Sequence, residues 1–240
     1  MKAQISDCGS GVWRLDVSGA LGIEDIPRMK AAAADLPAAA RCLVLEGGPD
    51  VFNSGATRAG LTDCEQPITE YVGEIPRLLL EIGVPTVAAM AGHAIGGGLL
   101  LGLWCDSIVL AEDRLYGANF MALGFTPGMG ATVALEAAFG PLLAREMLYT
   151  GQLLTGAELR RRGAPLPHVL PRGEVEERAR SIAQAIAATA PESTRLLRRT
   201  LAGRRRAQLE TALRDESRMH REVFADPQTR ARIAALLPEE

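Results

Sequence analysis

Three consecutive glycines, Gly96-Gly97-Gly98, constrain this chain more than any other feature. They follow a strand-like apolar run, Thr86 to Met90, and precede a helix-like one, Leu99 to Leu103. Glycine serves where the backbone turns tightly or where another molecule must come up to the main chain. The first N–H groups of a helix have no partner inside it and sit at the positive end of its dipole. A strand–glycine–helix corner therefore suits an anion, or an oxygen that becomes one during a reaction. The same pattern also makes a plain tight turn, so the surrounding residues must decide. A second glycine-containing turn, Asn53-Ser54-Gly55-Ala56-Thr57, follows the short strand-like end Val51-Phe52.

The rest of the chain alternates strand and helix and then becomes helical. Residues 3 to 18 read as a half-buried hairpin around Cys8 to Gly11. Ile23 to Leu36 reads as a helix and Cys42 to Leu45 as a buried strand. Thr57 to Gln66 is polar and irregular, the composition of a mobile flap. Ile68 to Ile82 has helical apolar spacing, with Pro76 predicting a kink or break. Beyond the glycines come strands at Ser107 to Ala111 and Arg114 to Tyr116, a turn at Thr126 to Gly130, and helices over 131–138, 141–149 and 155–162. Thr155 with Glu158 has the spacing of a capping box. Residues 174 to 237 read as helices broken near Pro191, Gly203 and Pro227. The fold class is α/β, with residues 1–190 as core and 191–240 as a C-terminal helical region.

Composition narrows the function. Net charge is −3, so overall charge argues for neither nucleic acid nor membrane as a partner. No apolar run approaches the roughly 18 residues of a membrane span. The first residues lack a signal-peptide stretch, which predicts a cytoplasmic protein. Cys8, Cys42, Cys64 and Cys105 have no metal-ligand spacing and read as reduced thiols, with no metal site. Cys64 reads as an inert one.

The ordered motifs VPTVAAMAGHAIGGG, CDSIVLAED, GFTPGMGAT and LTGAELRRRG resemble the crotonase (enoyl-CoA hydratase/isomerase) superfamily over nearly the whole chain. The resemblance implies a crotonase-like spiral of ββα repeats with a C-terminal helical region, assembled as a trimer or a dimer of trimers. It implies an acyl thioester substrate whose carbonyl oxygen is held by two backbone N–H groups. By position those donors fall on Ala56 and Gly97. Hydratases of the family carry two catalytic glutamates where this chain has Leu100 and Phe120. Leucine and phenylalanine transfer no protons, so hydration of a double bond is disfavoured.

GHAIGGG, NFMxxGFTPGMGAT and the pair Met219-His220 resemble the decarboxylating hydratase-like enzymes of polyketide β-branching. That resemblance implies removal of CO₂ from a 3-methylglutaconyl group, with no cofactor beyond the phosphopantetheine or CoA that carries it. The partner is then an acyl carrier protein or an acyl-CoA. His220 is the candidate for orienting the carboxylate or returning a proton, or else a packed histidine satisfied by Glu216. Leu100, Trp104 and Phe120 are expected to form an apolar pocket. Some enzymes of this subgroup use a flap lysine that this chain lacks. Arg58 could pair with the substrate carboxylate, although arginine is a poor proton donor. His93 either contacts the substrate or makes a structural hydrogen bond near the turn. Eleven arginines against five acids between Arg195 and Arg232 form either a solvated helix face or a docking patch for an acidic carrier. Two alternatives stay open: an enoyl thioester dehydratase or isomerase, and a non-catalytic binder of acyl carriers.

Overall fold

The computed structural model describes residues 1–62 and 73–237. Gln4–Asp7 (β1) and Val12–Asp16 (β2) form the expected hairpin, with Ile5 opposite Leu15. After Asp25–Ala34 (α1), Cys42–Glu46 (β3) pairs with β2 and Val51–Asn53 (β4) leaves for a second sheet. Arg58–Thr62 (α2) and Glu74–Glu81 (α3) follow, then Thr86–Met90 (β5), His93–Ile95 (β6) and Gly97–Leu103 (α4). Ser107–Ala111 (β7) and Leu115–Gly117 (β8) lead to Ala131–Phe139 (α5) and Pro141–Thr150 (α6). Leu154–Thr155 (β9), Gly156–Arg161 (α7) and Val169–Leu170 (β10) precede Val175–Ala187 (α8), Pro191–Phe224 (α9) and Pro227–Leu236 (α10).

One sheet runs β1-β2-β3-β5-β7-β10 and the other β4-β6-β8-β9. The pairs β3-β4, β5-β6 and β7-β8 each add one strand to each sheet before a helix, so the chain winds as a spiral of ββα units. The central strands β3, β5 and β7 are parallel and buried on both faces, which explains their nearly unbroken apolar sequences. Cys42, Val44, Val87, Ala89 and Val109 face α8 through Val175, Ala179 and Ala183. Leu43, Leu45, Ala88, Met90 and Leu110 face the main core. Tyr116 of β8 ties the two sheets: its hydroxyl donates to the Met90 carbonyl at 2.6 Å and accepts from the Ala111 N–H at 2.8 Å. Among the described residues no helix is long and apolar enough to cross a membrane.

Four expectations need correction. The polar stretch after Thr57 is not irregular throughout, because Arg58–Thr62 is a helix with Leu61 buried beneath it; the remainder of that stretch, with Cys64, lies outside the described residues, as do 68–72. Pro76 neither kinks nor breaks α3, since it is the third residue of the helix, where the N–H it lacks would have had no intrahelical partner. Gly203 does not interrupt α9, which runs unbroken through it for 34 residues. That helix is held by packing and by side-chain anchors, which outweigh one residue of poor propensity. Arg198, read as part of an exposed basic run, is buried. Its Nε lies 2.9 Å from Asp106 Oδ2 and its Nη2 donates to the Leu79 carbonyl at 2.8 Å. Arg205 donates to the carbonyls of Leu103 and Cys105 at 2.8 and 2.9 Å, satisfying the C-terminal end of α4.

Candidate active site

Two strand-end turns meet. At the end of β4 the buried Asn53 donates from Nδ2 to the Val17 carbonyl and accepts from the Gly55 N–H at 2.9 Å. This bends the chain at Gly55, whose φ of +79° suits glycine. At the end of β6 the chain turns into α4 through Gly96, with φ +56° and ψ −124°. The start of α4 packs on the first turn so closely that a β-carbon at Gly98 would lie 2.0 Å from the Asn53 carbonyl oxygen. A β-carbon at Gly55 would lie 3.1 Å from the Gly97 nitrogen. Among the described residues, neither the Ala56 N–H nor the Gly97 N–H is used by a hydrogen bond of the fold. Two free donors on touching turns can serve one oxygen.

Ala56, Gly96 and Gly97 line a cavity of about 90 Å³. Its other walls are apolar, with Leu21, Ile26, Leu61, Ile75, Phe120 and Phe125 the main contributors. Among the described residues, three polar side chains line it: Ser54, Asn119 and His220. No Asp, Glu, Lys or Arg does so among the described residues. Among those residues no cluster of His, Cys, Asp or Glu is placed to hold a metal ion.

His220 reaches the cavity from α9 and is buried. Its ring stacks on Phe224, with centroids 5.7 Å apart and planes 3° from parallel, and lies 6.2 Å from Phe125. Nδ1 lies 3.0 Å from the Glu216 carbonyl oxygen. A carbonyl can only accept, so Nδ1 carries the hydrogen and Nε2 is the nitrogen that titrates. Burial pushes this imidazole below its ordinary range, against a smaller upward pull from the carbonyl.

The Glu216 side chain does something else. Its carboxylate accepts from the Gly130 N–H at 2.7 Å, the Thr132 N–H at 3.0 Å and the Thr132 hydroxyl at 2.8 Å. These are donors left over at the start of α5. Burial raises this carboxyl's pKa, while the three donors pull it down. Glu216 therefore fixes α9, and His220 one turn later, against the Gly128-Met129 wall of the cavity.

Four expected substrate contacts lie elsewhere. Leu100 is fully buried inside α4, which meets the cavity only through its first residue. Trp104 faces away: its Nε1–H donates to the Met129 carbonyl at 2.8 Å and the Arg205 guanidinium sits 5.2 Å from its ring. The indole is packing behind the wall. His93 Nδ1 accepts from the Leu115 N–H at 2.8 Å, a bond that stitches β6 to β8. Arg58 begins α2, yet the cavity is lined by Gly60 and Leu61 of that helix and not by Arg58. Phe120 does line it, edge-on to Phe125 at 5.6 Å. Sequence reasoning missed Asn119, Phe125 and Leu237. Asn119 is next to Phe120 within NFM, but only the fold shows that both neighbours face one space.

The enoyl-CoA hydratase/isomerase family model matches residues 29–236. The bacillaene synthase decarboxylase PksI of Bacillus subtilis is 38% identical over 197 residues, 82% of this chain and 79% of that protein. A variant of the ECH2 decarboxylase domain of CurF from Lyngbya majuscula superposes with a TM-score of 0.85 at 30% identity, covering 98% of each chain. A structure from a dehydratase/decarboxylase couple involved in polyketide β-branching superposes with a TM-score of 0.91 at 32% identity, covering 98% of this chain and 99% of the other.

Proposed function

The chain belongs to the enoyl-CoA hydratase/isomerase family, and from that premise we propose that it decarboxylates a 3-methylglutaconyl-type thioester in polyketide β-branching. The single observation that carries the reading is the cavity itself: two unpaired main-chain donors beside one another, in walls that hold no carboxylic side chain among the described residues. Hydration needs an acid and a base to move protons at a double bond. Loss of CO₂ needs an electron sink and one proton.

The thioester oxygen would accept from the Ala56 and Gly97 N–H groups. The bond between the γ-carbon and the carboxylate breaks and CO₂ departs. Its electron pair passes through the double bond to the thioester oxygen, giving a dienolate that the two donors stabilise. Each such donor is worth roughly 3–4 kcal/mol of barrier. A proton then adds to carbon, leaving a branched enoyl thioester. His220 supplies that proton through Nε2. Its neutral resting state is no obstacle, because the dienolate left when CO₂ departs raises the pKa of a neighbouring imidazole, whose Nε2 then takes a proton from solvent and passes it to carbon. The acyl group would arrive on the phosphopantetheine arm of a carrier protein or on CoA, with no resident cofactor.

The test is incubation with 3-methylglutaconyl thioester on carrier protein and on CoA, followed by mass spectrometry. Loss of the mass of CO₂ is expected. Loss of water, isomerisation without mass change, or no product from either form would sink the reading.

A further inference from the structure

We propose that Asn119 is the residue that recognises the substrate's free carboxylate. This inference rests on the decarboxylation reading above. Asn119 follows β8 and lines the cavity, half-buried, beside Phe120. Its Oδ1 stands 3.3 Å from where a β-carbon of Gly96 would be, next to the residue that precedes the Gly97 donor. Gly96 leaves that space open. Among the described residues, the Asn119 carboxamide has no hydrogen-bond partner in the protein, unlike the Asn53 carboxamide nearby, whose Nδ2 and Oδ1 are both engaged.

The polar inventory of the wall singles it out. Ser54 is exposed at the rim. His220 has committed Nδ1 to the Glu216 carbonyl and, when neutral, offers a bare Nε2 that cannot donate. Among the described residues of the wall, Asn119 alone brings an NH₂ with two free donors, and a carboxylate accepts only. The chemistry favours a neutral donor. A cation would neutralise the carboxylate and stabilise the ground state, in which the charge is localised, more than the transition state, in which it is leaving. A carboxamide holds the carboxylate in place and leaves most of its charge in an apolar setting. Placement beside the Gly96-Gly97 turn puts this donor within one short acyl chain of the thioester oxygen.

Two saturated probes test this. 3-Methylglutaryl-pantetheine carries the carboxylate but lacks the double bond that would drain its electrons, so it cannot lose CO₂ by this route. 3-Methylbutanoyl-pantetheine has the same branch and no carboxylate. Calorimetry on wild-type protein should show tighter binding of the first. Asn119→Ala should lower that preference by about tenfold to a hundredfold, the range for one hydrogen bond to a charged group. Asn119→Gln should retain part of it, and Asn119→Asp should abolish it through repulsion. Because the readout is a ratio of two affinities on one sample, a fall in folded protein cancels. Equal wild-type affinities, or an Asn119→Ala protein that weakens both probes alike or neither, would overturn the assignment. Wild-type turnover of the unsaturated substrate together with an unchanged ratio in Asn119→Ala refutes Asn119 alone; absence of turnover refutes the decarboxylation reading itself.

Discussion

The Glu216 carboxylate of α9 holds the Gly130 N–H at 2.7 Å, across 86 residues of sequence. It joins a helix that carries no strand or loop of the cavity to the turn that builds one wall. His220 owes its place to this clamp. Replacing Glu216 by Ala strands three donors at the start of α5 and should cost about 2–4 kcal/mol of stability. Glu216→Gln, which still offers one carbonyl oxygen, should cost less. Urea melts give both values, and equal melts for the two variants and wild type would show that the clamp is ornamental.

Gly97 is the first residue of α4, a position where proline is tolerated because its missing N–H has no helical partner. A β-carbon there meets Met129 Sδ at 3.0 Å, the movable end of a flexible side chain. Gly97→Pro should therefore leave a folded protein with one donor deleted. The expected loss in kcat on 3-methylglutaconyl thioester is roughly a hundredfold to a thousandfold. A rate within a few fold of wild type, with the thermal melt unchanged, excludes this amide as a donor to the reacting oxygen.

His220 makes stability depend on pH in a stated direction. Its imidazole ionises with difficulty in the fold, so its folded pKa lies below the unfolded value of about 6.5. As pH falls below that value the unfolded chain takes up a proton that the native state refuses, and stability declines. Glu216 runs the other way, with a raised folded pKa, but its window opens upward from the ordinary carboxylate range. Between pH 6.5 and 5.5 His220→Gln should lose stability less steeply than wild type. Parallel slopes in denaturant titrations would count against the buried neutral imidazole.

Gly203 lies exposed within α9, and a β-carbon there would meet nothing within 4 Å. Gly203→Ala should stabilise the protein by about 0.5–1 kcal/mol, the gain in helix propensity and the reduced freedom of the unfolded chain. A lowered melting temperature would mean that the helix is strained there.

Legibility from sequence followed the locality of the signal. The hairpin around Cys8 to Gly11, the strands over 42–46 and 86–90 and the capping box at Thr155 and Glu158 are written in neighbouring residues, and each is present. Both halves of the box are made, with the Glu158 N–H donating to Thr155 Oγ1 at 3.2 Å and the Thr155 N–H donating to Glu158 Oε2 at 2.9 Å. Gly203 misled because one poor helix former is outvoted by anchors such as Arg198 and Arg205, whose partners lie far away in the sequence, at Leu79, Leu103 and Asp106. The glycine turns were visible as turns. Which neighbours faced the cavity was not, since Leu100 and Phe120 look equally apolar in a string and only one lines it. Trp104 lies close to the site in sequence, yet its indole nitrogen serves Met129, while His93 makes the structural hydrogen bond, from the Leu115 N–H, that is one of its two sequence readings.

The cavity wall draws on Leu21 at one extreme and on Leu237, just past α10, at the other. A ribosome must therefore release nearly the whole described chain before the cavity is closed. No nascent fragment ending short of α10 has the whole wall, so premature termination there leaves an open hollow.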